Sequence, residues 1–307
     1  MGHPADLLRS AFFRNSAPCG NHTKILKEER RENLTASSVK IIYELHVARI
    51  DIELRDTRRR EHRTATGRIR PYFTFVFFPK ASLVMASSLS ADEPDQQMLA
   101  ALLFAAMSKS SGQLYGGIPD EIWLNESIAM FALRLRRLHD NLGITIRSNK
   151  EGQLHTGEAE RFLETLKQQV WEALPIYVGK QGTMQSNVIE YLTLHELEDI
   201  FRDCLIDYHQ RINSETGLSP LAFWETHCFP RLFDPHQLAN LLGEGIHRHI
   251  THRGIYYQHR LYWHADLATL TPGTEVHVYP SPSLARPVTI EVFHRKQWIC
   301  SAFMIRD

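Results

Sequence analysis

Residues 39–56 read VKIIYELHVARIDIELRD, and at this stretch the character of the chain changes. Apolar and β-branched residues alternate with polar ones, the period-two pattern of a strand with two unlike faces. Upstream, residues 1–38 mix Arg, Lys, Asn, Ser and Gly with little periodicity, and are expected to form a poorly ordered arm with one short helix. Downstream, RPYFTFVFF and SLVMASSLS repeat the strand signal, so three strands run in succession, the first two separated by the strongly basic turn TRRREHRTATGRIR.

EPDQQMLAALLFAAMSKS then reads as a helix, with acidic residues at its start and an apolar stripe through Met98, Leu102 and Ala105. A loop and a short fourth strand, Glu121 to Leu124, follow. SIAMFALRLRRLHDNLG is a second helix closed by Gly143, ITIRS a fifth strand, and a third helix runs from about Gly157 to Ala173, stopped by Pro175. Three strands, helix, strand, helix, strand, helix describe an α/β (α+β) mixed sheet with helices on its faces. After the polar link YVGKQGTMQSN, the segment LTLHELEDIFRDCLIDYHQRINS opens a long helix with Thr193 as N-cap and Glu196 three positions on, a capping box. The closing GTEVHVYPSPSLARPVTIEVFHRKQWICSAF alternates in short runs broken by Pro and Gly, as a small β-barrel or sandwich does. The expected divisions are an arm at 1–38, a core at 39–180, a helical connector at 181–245 and a β module at 246–307.

A chain of 307 residues with 43% apolar content is long enough for about two packed domains. Its 35 basic and 35 acidic side chains cancel, so any attraction to nucleic acid or membrane must be local. Cys19, Cys204, Cys228 and Cys300 form no C-x-x-C pair, which argues against a zinc knuckle or disulfide framework and suits a reducing cytoplasm. YFTFVFF and LAALLFAAM fall far short of the roughly 20 apolar residues that a bilayer requires, and no signal-peptide pattern opens the chain, so no membrane partner is expected. HELED at 195–199 lacks the second histidine of a metalloprotease helix, and no glycine-rich phosphate loop is present.

GEAERFLETLKQQVW at 157–171, IPDEIWLNES at 118–127 and YELHVARIDIELRD at 43–56 stand in the order and spacing of three motifs of a known family. LPIYVGK, HQRINSETGLSPLAFW and the terminal β module continue the match, over about residues 40–307. The chain thus resembles the DDE transposases and retroviral-type integrases, and among them the Mu-like bacterial branch. The resemblance implies a ribonuclease H-like domain, a helical connector and a small Mu-type β-barrel. It also implies DNA as partner, Mg2+ as cofactor, polynucleotidyl transfer as activity, and assembly with further copies or with an active transposase. No counterpart of the family's helical DNA-reading domains is expected in residues 1–38.

Motif by motif, the first catalytic acid falls at His46, followed by Val47 and Ala48 where the family has His-Thr. The second falls at Asn125, followed by Glu126 and Ser127 where the family has Asn-Gly. The third, Glu160, is kept; 34 residues separate it from Asn125, near the family's spacing. A further family Asp falls at Phe78. The chemistry implied is phosphoryl transfer by two divalent ions roughly 3.5–4 Å apart. Magnesium wants hard oxygen ligands, and His46, Asn125 and Glu160 together carry a single negative charge, which leaves two such cations repelling strongly.

Neighbouring acids offer little in exchange. Glu126 and Asp51 lie at odd offsets from the key positions and face away, whereas Glu44 shares the face of His46 but lies about 6.6 Å along the strand. Other roles remain open. The trio could hold one softer ion such as zinc or manganese, with Glu160 as a metal ligand. His46 could be a cleft histidine with a hydrogen-bond partner, Asn125 a cap for the following helix, and Glu160 the partner of a nearby base.

Two basic patches qualify for phosphate contact. The first is Arg58, Arg59, Arg60 and Arg63 with Arg68 and Arg70. The second is HRHITHRGIYYQHRLYWH at 247–264, where Arg248, Arg253 and Arg260 interleave with Tyr256, Tyr257, Tyr262 and Trp263. Their plain alternatives are a solvated loop and a basic strand pair whose aromatics fill the β module. The expected function is a DNA-binding protein of the transposase/integrase family with a degenerate catalytic centre, surviving as an accessory subunit or a mobile-element remnant. An active strand-transferase or nuclease with a rewired His-Asn-Glu site, or a purely structural module, are the alternatives.

Overall fold

The computed structural model describes residues 39–58, 67–108, 115–148, 157–168, 192–214, 216–280, 289–295 and 297–305. The N-terminal arm, Arg59, Arg60, Arg63, the end of the third helix with Pro175 and the polar link after it lie outside the described residues. A five-stranded sheet organises the first half. Its strands are β1 (Ile42–Arg49), β4 (Tyr72–Phe78), β5 (Leu83–Ser90), β6 (Glu121–Leu124) and β7 (Thr145–Ser148), in the order β5-β4-β1-β6-β7. β4 runs antiparallel to both of its neighbours, β5 and β1, while β6 and β7 run parallel to β1. The short pair β2 (Leu54–Arg55) and β3 (Arg68–Ile69) makes a small hairpin between β1 and β4.

Alternation along these strands supplies two cores. Tyr43, Leu45, Val76, Phe78 and Met85 face one side, and are covered by α1 (Gln96–Met107), α2 (Arg136–Leu142), α5 (Pro220–His227) and α6 (Pro235–Leu242). Phe73, Phe75, Phe77 and Val84 face the other, under α3 (Glu158–Leu166) and α4 (Leu194–Gln210). The helices read from sequence as a connector therefore complete both cores: Trp224 of α5 packs edge-on against Phe78 at 5.2 Å, and Phe201 of α4 against Phe73 at 5.1 Å.

Local chemistry explains most boundaries. Asp95 caps α1 by accepting from the Met98 amide, and Thr193 with Glu196 forms the capping box of α4, both bonds present. Gly143 closes α2 in the left-handed region at φ 69°. Two expectations need correction. In α1 the buried set is Leu99, Ala100, Ala101, Leu102, Leu103, Ala106 and Met107, not a stripe through Met98 and Ala105. The helix contacts β4 and β5 of the sheet and also α6, so it is buried over more than one face. The second helix is also not continuous. A 3-10 stretch, Glu126–Leu133, precedes α2, with Ile128 outside helical geometry. Buried Ile128 and Phe131 are three apart, as a 3-10 turn requires, and from Phe131 the buried residues Leu135, Leu138 and Leu142 follow α spacing.

The chain ends in a six-stranded antiparallel sheet that is nearly closed. Its strands are β8 (Ile246–His249), β9 (Ile255–Tyr257), β10 (Arg260–Trp263), β11 (Glu275–Pro280), β12 (Thr289–His294) and β13 (Gln297–Met304), ordered β8-β11-β12-β13-β10-β9, with the edge strands β8 and β9 in contact. Ile250, Ile255, Val276, Val278, Ile290, Val292 and Ala302 fill it. Gly254, at φ 125°, is required at its turn, because a Cβ there would run into the Tyr262 carbonyl oxygen. α6 joins this sheet to the first: Leu238 is buried in one core, while His236 Nδ1 lies 2.9 Å from Glu291 Oε2 of β12. Glu291 also accepts from Trp298 Nε1 at 2.7 Å and from Ser301 Oγ at 2.9 Å. Among the described residues no helix is long and apolar enough to cross a membrane.

Two buried ionisable groups give checkable consequences. Glu121, at the start of β6, accepts from Lys40 at 2.7 Å, Trp123 Nε1 at 2.7 Å and Arg147 at 2.9 Å. Burial pushes its carboxyl up, but those three donors outweigh burial and hold it at about 2. Replacing it, Glu121→Ala, is expected to lower stability by about 1–3 kcal/mol in urea unfolding. His209 of α4 accepts from the Val84 amide at 3.3 Å, and burial holds its imidazole down at about 4 against an ordinary 6.5. The unfolded chain therefore takes up a proton here before the folded one does, so stability falls as pH drops from about 6.5 to about 4. Urea midpoints across that window should show the fall in wild type and a shallower one in His209→Gln.

Candidate functional site

β1 is the central strand, and its pairings position the three residues singled out above. Its parallel register with β6 sets Leu45 beside Leu124, so the next pair along is His46 and Asn125. Its antiparallel register with β4 sets His46 beside Phe75, and the two rings stack with centroids 5.1 Å apart. Phe75 in turn meets Phe162 of α3 at 5.4 Å. The helix that carries Glu160 thus lies over the sheet face that carries His46.

The side chains meet unequal surroundings. His46 is buried, and its Nε2 lies 3.1 Å from Oε2 of Glu44, itself only 2% exposed. The 6.6 Å or so along the strand between same-face neighbours is bridged because both side chains are long enough to lean towards each other. Asn125 is half-buried at the N-cap position of the 3-10 stretch, yet makes no side-chain cap bond; its Oδ1 instead accepts from Ser127 Oγ at 2.9 Å. Glu160 is exposed and, among the described residues, makes no hydrogen bond or ion pair, because its neighbour Arg161 pairs with Glu158 at 2.7 Å. Ala159, Phe162 and Leu166 are the buried positions of α3. Among the described residues no group of three or more His, Cys, Asp or Glu side chains is placed to hold a metal ion. Phe78 lies on the opposite sheet face, packed on Trp224.

The arginines divide similarly. Arg58 is held by Asp56, with Nε and Nη2 each donating at 2.9 Å, and by Asp92 at 2.6 Å, so its guanidinium is already neutralised. Arg248 donates to the His247 carbonyl at 2.8 Å and lies over the Tyr257 ring, Arg260 contacts Met304, and Arg253 is exposed. Of the interleaved aromatics, Tyr257 and Tyr262 are core residues, while Tyr256 and Trp263 stay about half exposed, as strand alternation dictates. Sequence reading grouped Arg68 and Arg70 with the first patch but missed Arg49, which joins them. Arg49 at the end of β1, together with Arg68, Arg70 and Ile69, lines a cleft of about 540 Å³ in which Glu53 is the one acidic residue among the described residues. Glu53 lies 3.2 Å from Arg68 and 3.7 Å from Arg70, and Arg49 lies over the ring of its register partner Tyr72. The signal was available in the hairpin, whose two legs bring residues 49 and 68–70 together. The described cysteines, Cys204, Cys228 and Cys300, are buried with thiols pushed up to about 12 by that burial, and serve as small core residues.

No family model matches the chain. Over 240 residues it is 26% identical to the transposase for transposon Tn552 of Staphylococcus aureus, covering 76% of this chain and 48% of that protein. The chain is similar to a transposase. The chain spans about half the length of the relative it matches. A cryoEM structure of a simian T-cell lymphotropic virus intasome in complex with PP2A regulatory subunit B56 gamma overlays 87% of this chain and 81% of that one, with a TM-score of 0.37 and 10% identity, too loosely to bear on fold or function.

The buried Glu44–His46 pair predicts a measurable coupling. Removing one partner takes a buried hydrogen bond from the other, so Glu44→Leu and His46→Leu singly should each cost about 1–3 kcal/mol. The double variant should cost less than their sum. A double-mutant cycle in urea unfolding reads this coupling directly, and strict additivity would contradict it.

Proposed function

We propose that this chain is a DNA-binding member of the transposase/integrase superfamily, of its Mu-like branch, whose ribonuclease H-like centre has lost the charge needed for two-metal strand transfer. The likeness to a transposase over 240 residues carries this reading. Three antiparallel strands followed by two parallel ones, with helices on both faces, are consistent with the ribonuclease H-like scaffold. The nearly closed terminal sheet is consistent with the Mu-type module. Working with further copies or with an active transposase follows from the same resemblance.

The donor set argues for loss of chemistry. Paired magnesium would need several hard anionic oxygens at one point. His46 offers an imidazole already engaged by Glu44, Asn125 offers a neutral amide, and Glu160 is the one carboxylate among the three. The residues do not fit a pair of magnesium ions.

DNA contact is assigned to the Arg49–Arg68–Arg70 cleft, where, among the described residues, three guanidinium groups line the cleft with one carboxylate. Binding of a short duplex, followed by fluorescence anisotropy at several salt concentrations, should weaken linearly on a log–log plot. Arg49→Ala and Arg70→Ala should each flatten that slope by about one phosphate contact, without altering sequence preference. In parallel, strand-transfer and nicking assays with Mg2+, Mn2+ or Zn2+ should give no product. Product that disappears in Glu160→Gln would instead establish a rewired, active enzyme, and absence of DNA binding at low salt would leave a structural module.

A further inference from the structure

We propose that His247 and His277, on neighbouring strands of the terminal sheet, form a two-imidazole site for a divalent transition ion, copper(II) or nickel(II) in preference to zinc. The register of β8 with β11 makes them directly opposite partners. Their Nε2 atoms lie 2.9 Å apart and their rings meet nearly at a right angle, 89°, with centroids at 4.0 Å. Two imidazole nitrogens that close must share something between them. In the absence of a cation it is a single proton, with one ring donating and the other accepting. A metal ion takes the place of that proton and satisfies both lone pairs.

The orientation of the pair is set from behind. His247 Nδ1 lies 2.9 Å from Oε1 of Glu275, so that nitrogen carries the proton and Nε2 is left as the free donor atom facing His277. A carboxylate on the far nitrogen of a histidine is the usual support of a metal-bound imidazole. His249 lies two residues along β8 on the same face, opposite Glu275, within the same patch.

Affinity order favours copper(II) and nickel(II). Nitrogens roughly 2.05 Å from a cation are about 2.9 Å apart at a right angle and about 3.3 Å apart at the tetrahedral angle. The 2.9 Å separation of the hydrogen-bonded pair already matches two adjacent positions of a tetragonal site, so a copper(II) or nickel(II) ion would need little rearrangement, and copper(II) leads the general affinity order. Magnesium, which wants oxygen, is rejected. No group of three or more ligating side chains is placed around a metal among the described residues, so water fills the other positions and the site stays open on its solvent side. A bound ion would tie the edge strand β8 to β11. This site shares no residue with the proposed DNA cleft and stands whether or not that assignment holds.

The test is titration of the full chain, carrying no histidine tag, with NiCl2 or CuCl2 alone, followed by calorimetry and by thermal unfolding. The expected result is one ion per chain at this site and a rise in Tm. Affinity should drop at least tenfold in His247→Gln and in His277→Gln, and by about tenfold in Glu275→Gln. The His252→Gln/His259→Gln double variant, altering exposed histidines of the same module, should bind as wild type does. All the substituted side chains lie at the surface, and circular dichroism verifies that each variant is folded. Absence of binding by the wild-type chain, or affinity and Tm shift unchanged in either His247→Gln or His277→Gln, would overturn the assignment.

Discussion

The constraint on which the rest depends is the double pairing of β1, parallel to β6 on one edge and antiparallel to β4 on the other. A strand buried in both directions cannot slip by one residue without turning every side chain to the wrong face. That fixes Tyr43 and Leu45 towards one core, and Glu44 and His46 towards the other. The same register brings Asn125, more than seventy positions away, beside His46. Phe75 and Phe162 then carry the arrangement upward to α3. The site is thus a product of sheet register and aromatic packing rather than of any local motif.

Around this strand the two cores are closed by helices from distant parts of the chain. α4 lays Leu197, Phe201 and Leu205 over the phenylalanine face, and α5 and α6 lay Trp224 and Leu238 over the opposite one. α6 has a second role. Its His236 meets Glu291 in the terminal sheet, while the carbonyls at its end, Leu242 and Gly243, accept from Arg134 and Arg137 beside the first sheet. One short helix is therefore packed into one sheet and hydrogen-bonded to the other.

Much of the fold could be read in the sequence because its signals are local. The alternation in residues 42–49, 72–78 and 83–90, the capping box at Thr193 and Glu196, and the glycine closing α2 each act within a few residues. What escaped reading was tertiary. α1 is buried over more than one face because α6 returns to cover it, and the break before α2 follows from where Ile128 and Phe131 must be buried. At the site, sequence spacing singled out His46, Asn125 and Glu160, and showed that Glu44 shares the face of His46. That the two side chains meet, and that Arg58 is consumed by Asp56 and Asp92, depends on side-chain reach that spacing does not encode. Arg49 was passed over because its partners Arg68 and Arg70 arrive from the far leg of a hairpin.

The proposed loss of chemistry rests on charge: a histidine tied to a buried glutamate, a neutral amide and one exposed carboxylate would supply too little negative charge for two close magnesium ions. Magnesium calorimetry on the wild-type chain and on the His46→Asp/Asn125→Asp double variant tests this most directly. The account predicts no paired binding in the wild type and two bound ions in the double variant, because the register already brings the altered positions together. Two ions bound tightly by the wild type, or none by a folded double variant, would contradict it.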